Sequence, residues 1–191
     1  MGKIPTRDEA FALYKTYNES DSLTKHALAV EGVMRHYAEK LGEDIEKWGV
    51  VGLLHDLDYE QFPDQHCTKS AEILRENGID EEIIHAVVSH GYGICSDIAP
   101  EHVMEKVLYT TDELTGLINA AALMRPSKSV MDLEYKSVIK KYKTPTFAAG
   151  VDRSVIEKGC VLLDTDLQSV IEEVILAMRS VADDIGLGMQ Q

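Results

Sequence analysis

Apolar residues recur along this chain at helical spacing, interrupted by short polar or glycine-containing breaks. Thr6 and Glu9 form a capping-box pattern that opens a first helix, running to about Tyr17. Asp21 or Ser22 is placed to cap the second helix. Its Leu23, Ala27, Val30, Met34, Tyr37 and Leu41 keep one face, and Gly42 supplies a stop. A third helix from about Asp44 carries WGVVGLLHDL, apolar nearly all round and therefore buried. After the break DYEQFPDQ, helices are expected over residues 68–77, ended by Gly78, and over 80–90, ended by GYG. A long helix is expected from Pro100 to about Met124, because proline suits a helix start. RPSK reads as a loop, SVMDLEYKSVIKKY returns to helical periodicity, and KTPTFAAG is irregular. Two final helices begin near Asp152 and Thr165, the last ending at IGLG. No alternating pair of segments flanks an Asn-Gly or Asp-Gly turn, so the expectation is an all-α fold of about eight to ten helices.

Several polar residues fall where this pattern leaves little water. His26 shares the stripe of Leu23, Ala27 and Val30, and His55-Asp56 end the most apolar helix. His90 lies on the face of Ile83 and Val87, and Asp112 continues the ladder of Met104 and Leu108. One such histidine alone is more often a hydrogen-bonded core residue, and one such aspartate a cap or an ion-pair partner. Two carboxylates and several imidazoles on separate helices, without a matching set of buried Lys or Arg, are instead satisfied together by a bound metal. His85 lies about 140° round the helix from His90, so the two do not face one site. His85 is expected to be exposed, and His36 and His102 are assigned structural roles as well.

Composition narrows the function. The 191 residues carry a net charge of -14 and no cluster of Lys and Arg, which argues against a nucleic-acid polymer as partner. No apolar run approaches a membrane span, and the first residues, MGKIPTRDEAFALYK, lack a signal-peptide segment. Cys67, Cys95 and Cys160 have no CxxC spacing and leave one over, which suits reduced thiols. A cytoplasmic protein of one domain spanning residues 1–191 is expected.

The order His26, then LLHDLDYE with His55-Asp56, then YTTDELTG with Asp112, resembles the H…HD…D pattern of the HD superfamily of metal-dependent phosphohydrolases. The branch it looks like is the one called HDIG, although Asp58 stands at the fourth position in place of glycine. The resemblance covers about residues 22–120 and implies an HD-type helical bundle, with residues of about 129–186 as a helical cover. The stripe of Val170, Val174, Met178 and Val181 would face that core, a homodimer interface being the secondary reading. In dinuclear members a histidine follows the HD pair and another ends a later helix; QHCTKSAEIL offers His66 and VVSHGYG offers His90. That pattern is similar to bacterial enzymes that cleave diadenosine tetraphosphate. Cyclic-di-GMP phosphodiesterases and stringent-response pyrophosphohydrolases fit less well, since their further motifs are missing.

Carried over by position, the resemblance implies that His26, His55, Asp56 and Asp112 hold one divalent ion. Asp56 bridges to a second ion completed by His66 and His90. The mixed N/O donor set favours Fe or Mn, with Zn and Co as alternatives. The implied reaction is attack of a metal-bridging hydroxide on a phosphate ester or anhydride of a small, nucleotide-like substrate. Asp58 would orient a histidine or move a proton to the leaving group, or else is simply a helix-terminal carboxylate. Lys69, Arg125 and Lys128 are candidates for the substrate phosphate, Arg125 foremost, with a solvated surface charge as the alternative for each. Tyr92 is a candidate to stack on a base, and Cys67 is expected to pack as a small hydrophobe. A metal-retaining nucleotide or small-ligand sensor and a mononuclear 5'-nucleotidase are the competing functions.

Overall fold

The structure, a computed structural model, describes residues 2–189. Among them are nine α-helices, one 3-10 turn and two isolated β-bridges, with no strand. The all-α expectation holds. Helix α1 (Arg7–Tyr17) has the Thr6–Glu9 capping box in place. Helix α2 (Asp21–Leu41) is capped by Ser20, one residue before the expected position, because the Ser20 side chain accepts the Leu23 N–H. It ends at Gly42, whose φ of 74° is a left-handed conformation that glycine adopts without a Cβ penalty. Helix α3 (Ile45–Leu54) is capped by Asp44 and buries every residue from Trp48 to Leu54.

Helices α4 (Thr68–Glu76) and α5 (Glu81–Ser89) pair with each other on one side. The long α6 (Val103–Leu123) starts three residues after Pro100. The reason is a capping box: Glu105 accepts the His102 N–H, and the His102 ring accepts the Met104 N–H. Helix α7 (Tyr135–Tyr142) is also shorter than its periodic segment. Ser129 and Val130 instead donate hydrogen bonds to Leu187 O, which holds this stretch against the C-terminal turn. Helices α8 (Arg153–Leu162) and α9 (Leu167–Ser180) complete the chain.

Helix α6 is the central strut, packed against α2, α5, α7, α8 and α9, while α2 packs on α3. Val170, Val174 and Met178 of α9 are buried within this chain, and Val181 packs against Gly32 of α2. One buried carboxylate outside the site is neutralised in the ordinary way. Glu31 accepts hydrogen bonds from Arg7 at 2.7 Å and Arg35 at 2.9 Å. The irregular KTPTFAAG stretch is shaped by the Arg153 guanidinium, which donates to the carbonyls of Tyr142, Thr144, Phe147 and Val151.

The α6–α8 contact depends on Gly159. A Cβ there would lie 2.7 Å from Thr110 Cβ and 2.8 Å from its Cα, and backbone does not yield as a flexible side chain would. Gly159→Ala is expected to destabilise the protein by about 1–3 kcal/mol, read as a fall in the urea midpoint at unchanged m-value. An unchanged midpoint would mean that the two helices separate at no cost.

Candidate metal centre

Each candidate ligand is set in place by its element. His26 projects from the second turn of α2, and His55 and Asp56 leave the end of α3. Asp112 sits midway along α6, His66 follows the 3-10 turn Pro63–Gln65, and His90 caps the C-terminus of α5. These elements converge so that the two Asp56 oxygens look in different directions. Asp56 Oδ2 lies 3.2 Å from His55 Nε2 and 3.7 Å from His26 Nε2. Asp56 Oδ1 lies 3.4 Å from His66 Nε2 and 3.6 Å from His90 Nε2. Asp112 Oδ1 joins the first set, 2.9 Å from His26 Nε2 and 3.4 Å from His55 Nε2.

The hydrogen bonds behind these rings decide what faces inward. His55 Nδ1 meets Gly52 O at 2.8 Å, and His90 Nδ1 meets Val87 O at 2.5 Å. A carbonyl only accepts, so both Nδ1 atoms carry the proton. His66 Nδ1 donates to Asp58 Oδ1 at 2.7 Å, while the other Asp58 oxygen accepts the Ser70 N–H at 2.8 Å. In the neutral rings of His55, His66 and His90, Nε2 is therefore a lone pair. His66 Nε2 faces His90 Nε2 at 3.2 Å, and His26 Nε2 faces His55 Nε2 at the same distance. Lone pairs and carboxylates pointing at one another repel unless protons or cations lie between them. No Lys or Arg among the described residues pairs with Asp56 or Asp112, in contrast to Glu31. The donor set therefore fits divalent metal, with His55, His66 and His90 each held in the ligating tautomer by a group behind the ring.

Without metal the cluster must hold protons. Burial opposes a charged His55, but Asp56 and Asp112 outweigh it and raise its pKa well above the usual value. Burial likewise opposes protonation of His66, while Asp58 and Asp56 raise its pKa. Burial would lift Asp56 and Asp112, yet the facing histidines hold both well below the carboxylate range.

The cluster forms the floor of a cleft of about 310 Å³. Tyr59, Ile94, Tyr109, Val151 and Val155 supply its organic walls, and Glu113 stands at the rim. Burial and the neighbouring Asp112 push the Glu113 carboxyl up to about 7. Of the residues predicted to touch substrate phosphate, Lys69, Arg125 and Lys128 do not line this cleft. Lys69 pairs with Glu72, and Arg125 forks onto Asp132. Arg125 lies 13 residues beyond Asp112, roughly 20 Å along the helix direction. Lys128 sits in the turn beyond it, at a φ of 49°.

The three histidines given structural roles are placed accordingly. His36 meets Glu173 of α9 at 2.6 Å, His102 caps α6, and His85 meets Glu105 at 2.8 Å. His85 is thus half-buried and hydrogen-bonded to Glu105 instead of free in solvent. Tyr92 is partly exposed and tilted against Tyr109 with ring centroids 6.4 Å apart. Two features were not read from the sequence. Glu113 reaches the cleft, although its place directly after Asp112 was a signal. Cys67 is fully buried as expected, but its sulfur lies 3.1 Å from that of Cys95, a tertiary meeting with no local spacing to announce it.

An all-α bundle whose His/Asp cluster lies at the meeting of five of its segments, open to a cleft on one side, defines a helical class of protein with candidate metal ligands. Residues 23–117 match the family described as HD domain, and the chain belongs to the HD superfamily. It is 29% identical over 137 residues to the tRNA (cytidine(56)-2'-O)-methyltransferase of Picrophilus torridus, covering 63% of this chain and 40% of that protein. To the protein of the same name in Thermoplasma volcanium it is 31% identical, covering 62% of this chain and 36% of that one. With Ribonuclease Y of Nitratidesulfovibrio vulgaris it shares 30% identity, over 51% of this chain and 18% of the enzyme. The chain thus spans less than half the length of these relatives. The family supports metal-dependent hydrolase chemistry. No helix among the described residues is long and apolar enough to cross a membrane.

The raised histidine pKa values fix a sign. Their stabilisation of metal-free protein is complete below the unfolded histidine pKa of about 6.5 and is lost as pH rises through the higher folded values. The depressed aspartates contribute above about 3.9, so both terms coexist between those limits. The Tm of chelator-treated protein is therefore expected to fall as pH is raised from about 6 to 8.5. A Tm that rises over that interval would remove the protonated cluster from the account.

Proposed function

We propose that this protein is a metal-dependent phosphohydrolase acting on a phosphate ester or anhydride of a small, nucleotide-like substrate. The observation that carries the proposal is the division of Asp56, with Oδ2 turned to His26 and His55 and Oδ1 to His66 and His90. Two ions are proposed. His26, His55, Asp112 and Asp56 Oδ2 would hold one, and His66, His90 and Asp56 Oδ1 the other. Four imidazoles with two carboxylates suit Fe or Mn first, then Zn or Co. Divalent ions so held supply an acidified water and neutralise charge developing on the phosphoryl oxygens.

The chain's own groups do the positioning. Asp58 holds His66 in its ligating tautomer and accepts the Ser70 N–H, so its carboxylate is fully used behind the site. That favours the orienting role over delivery of a proton to the leaving group. Ile94, Val151 and Val155 give the cleft an apolar side that excludes water, and Tyr59 and Tyr109 offer aromatic surface to the organic part of a substrate. Among the described residues no Lys or Arg lines the cleft, so with the histidines occupied as ligands, charge neutralisation at phosphate falls to the ions. The net charge of -14 supports a small substrate over a polymer. The relatives are named for two different reactions, and the shared segment carries neither name here. Three unbridged cysteines fit the cytoplasm.

Metal analysis of protein purified without chelator, followed by turnover of mononucleotides, dinucleoside polyphosphates and cyclic dinucleotides, tests the proposal. Asp56→Ala is expected to empty both positions and lower turnover on the order of 10³-fold. One bound ion, unaffected by His66→Ala, would move the protein to the mononuclear nucleotidases; metal without turnover of any substrate would make it a sensor.

Asp58→Asn keeps the shape but weakens the acceptor behind His66. A loss of roughly 10–100-fold in affinity for the ion at His66 and His90 is expected, with the ion at His26 and His55 retained. Equal loss of both ions in a metal titration would contradict an orienting role confined to His66.

A further inference from the structure

Cys67 and Cys95 are far apart in sequence, yet their sulfurs lie 3.1 Å apart, inside ordinary van der Waals contact. A disulfide requires sulfurs about 2.05 Å apart, so closure asks for a movement of roughly 1 Å. Cys67 directly follows His66, and its φ of 69° is a positive value unusual for a residue with a Cβ. Gly91 directly follows His90, and a Cβ on it would run into Cys95 Sγ and stand 2.6 Å from Cys67 Sγ. Both sulfurs therefore rest against Gly91, the residue after His90, and one of them belongs to the residue after His66. Cys67 is fully buried, whereas Cys95 is partly exposed and lines both the metal-site cleft and a second cavity on its other side. Cys160, in α8, is the remaining thiol and has neither sulfur as a hydrogen-bond partner.

We infer that Cys67 and Cys95 are a dithiol modification site, closed to a disulfide by a peroxide, and that closure disturbs the His66–His90 half of the metal centre. The chemistry proceeds in two steps. The Cys95 sulfur, as thiolate, attacks one peroxide oxygen; the S–O bond forms, the O–O bond breaks, and water leaves after protonation. The Cys67 sulfur then attacks the Cys95 sulfenic acid, forming the S–S bond and releasing a second water. Two thiols and one hydrogen peroxide give one disulfide and two waters, the sulfurs losing the two electrons that the peroxide gains. The contraction pulls on the residue after His66 and on the backbone after His90. His26, His55 and Asp112, held by α2, α3 and α6, do not touch the pair.

The effect on metal rests on the phosphohydrolase reading, but formation of the disulfide does not, and the experiment separates them. Native protein is treated with hydrogen peroxide, its free thiols are alkylated, and its peptides are analysed by mass spectrometry. The expected result is a Cys67–Cys95 crosslinked peptide, with Cys160 alkylated and the bond reversed by dithiothreitol. Cys95→Ser should leave Cys67 and Cys160 alkylated under the same treatment. Sulfinic acid on Cys95 without loss of the Cys67 thiol, or three free thiols, would overturn the inference. Bound metal should fall by about half on oxidation and return on reduction and reloading. Unchanged metal in the crosslinked protein would overturn the coupling. A crosslink in protein that never binds metal would uphold the dithiol and refute the phosphohydrolase.

Discussion

Asp56 is the constraint on which the rest of the structure turns. It is a largely buried carboxylate at the floor of the cleft that four imidazole nitrogens approach from two directions, and among the described residues no guanidinium or ammonium answers it. A group in this position is tolerated only with compensating positive charge. The same chain solves the same problem differently at Glu31, where two arginines neutralise a buried carboxylate and nothing further is required. The two solutions on one helix bundle separate a structural charge from a chemical one.

The surrounding architecture serves that convergence unevenly. His26 and Asp112 belong to the two longest helices, and His55 caps α3, buried from Trp48 onward, so one half of the centre is fastened to the core. The other half depends on short segments: His66 after a 3-10 turn, and His90 at the end of a nine-residue helix. Asp58 compensates by joining these segments. Cys67 stands at the N-cap of α4 without a side-chain cap, and Asp58 takes the Ser70 N–H that such a cap would have met. One carboxylate thereby anchors α4 and orients His66.

Helical phase made much of this legible. The all-α class and the presence of most helices followed from spacing, because a buried face must repeat every three or four residues. His26, His55, Asp56, His90 and Asp112 stood out because each broke an apolar pattern. His66 had no such signal, since it lies in irregular chain, and only the resemblance pointed to it. Element ends were less legible. Pro100 was a plausible helix start, but Glu105 fixed the cap two residues later, at His102. Arg125 had the right chemistry for phosphate, but Asp132 holds it on the far end of α6, a pairing that depends on the path of a loop. The Cys67–Cys95 contact was invisible for the same reason.

Gly91 carries a consequence for how this sequence can vary. Its missing Cβ leaves a space occupied by two sulfur atoms, one from each flanking segment. A larger residue at Gly91 becomes admissible only when both Cys67 and Cys95 shrink or move, and restoring either sulfur demands glycine again. The three positions thus form one unit of inheritance, in which a larger residue at position 91 clashes alone and survives only beside smaller partners at 67 and 95. Homologous chains should drift through them in concert, leaving a signature of covariation beside His66 and His90 while the histidines themselves stay fixed.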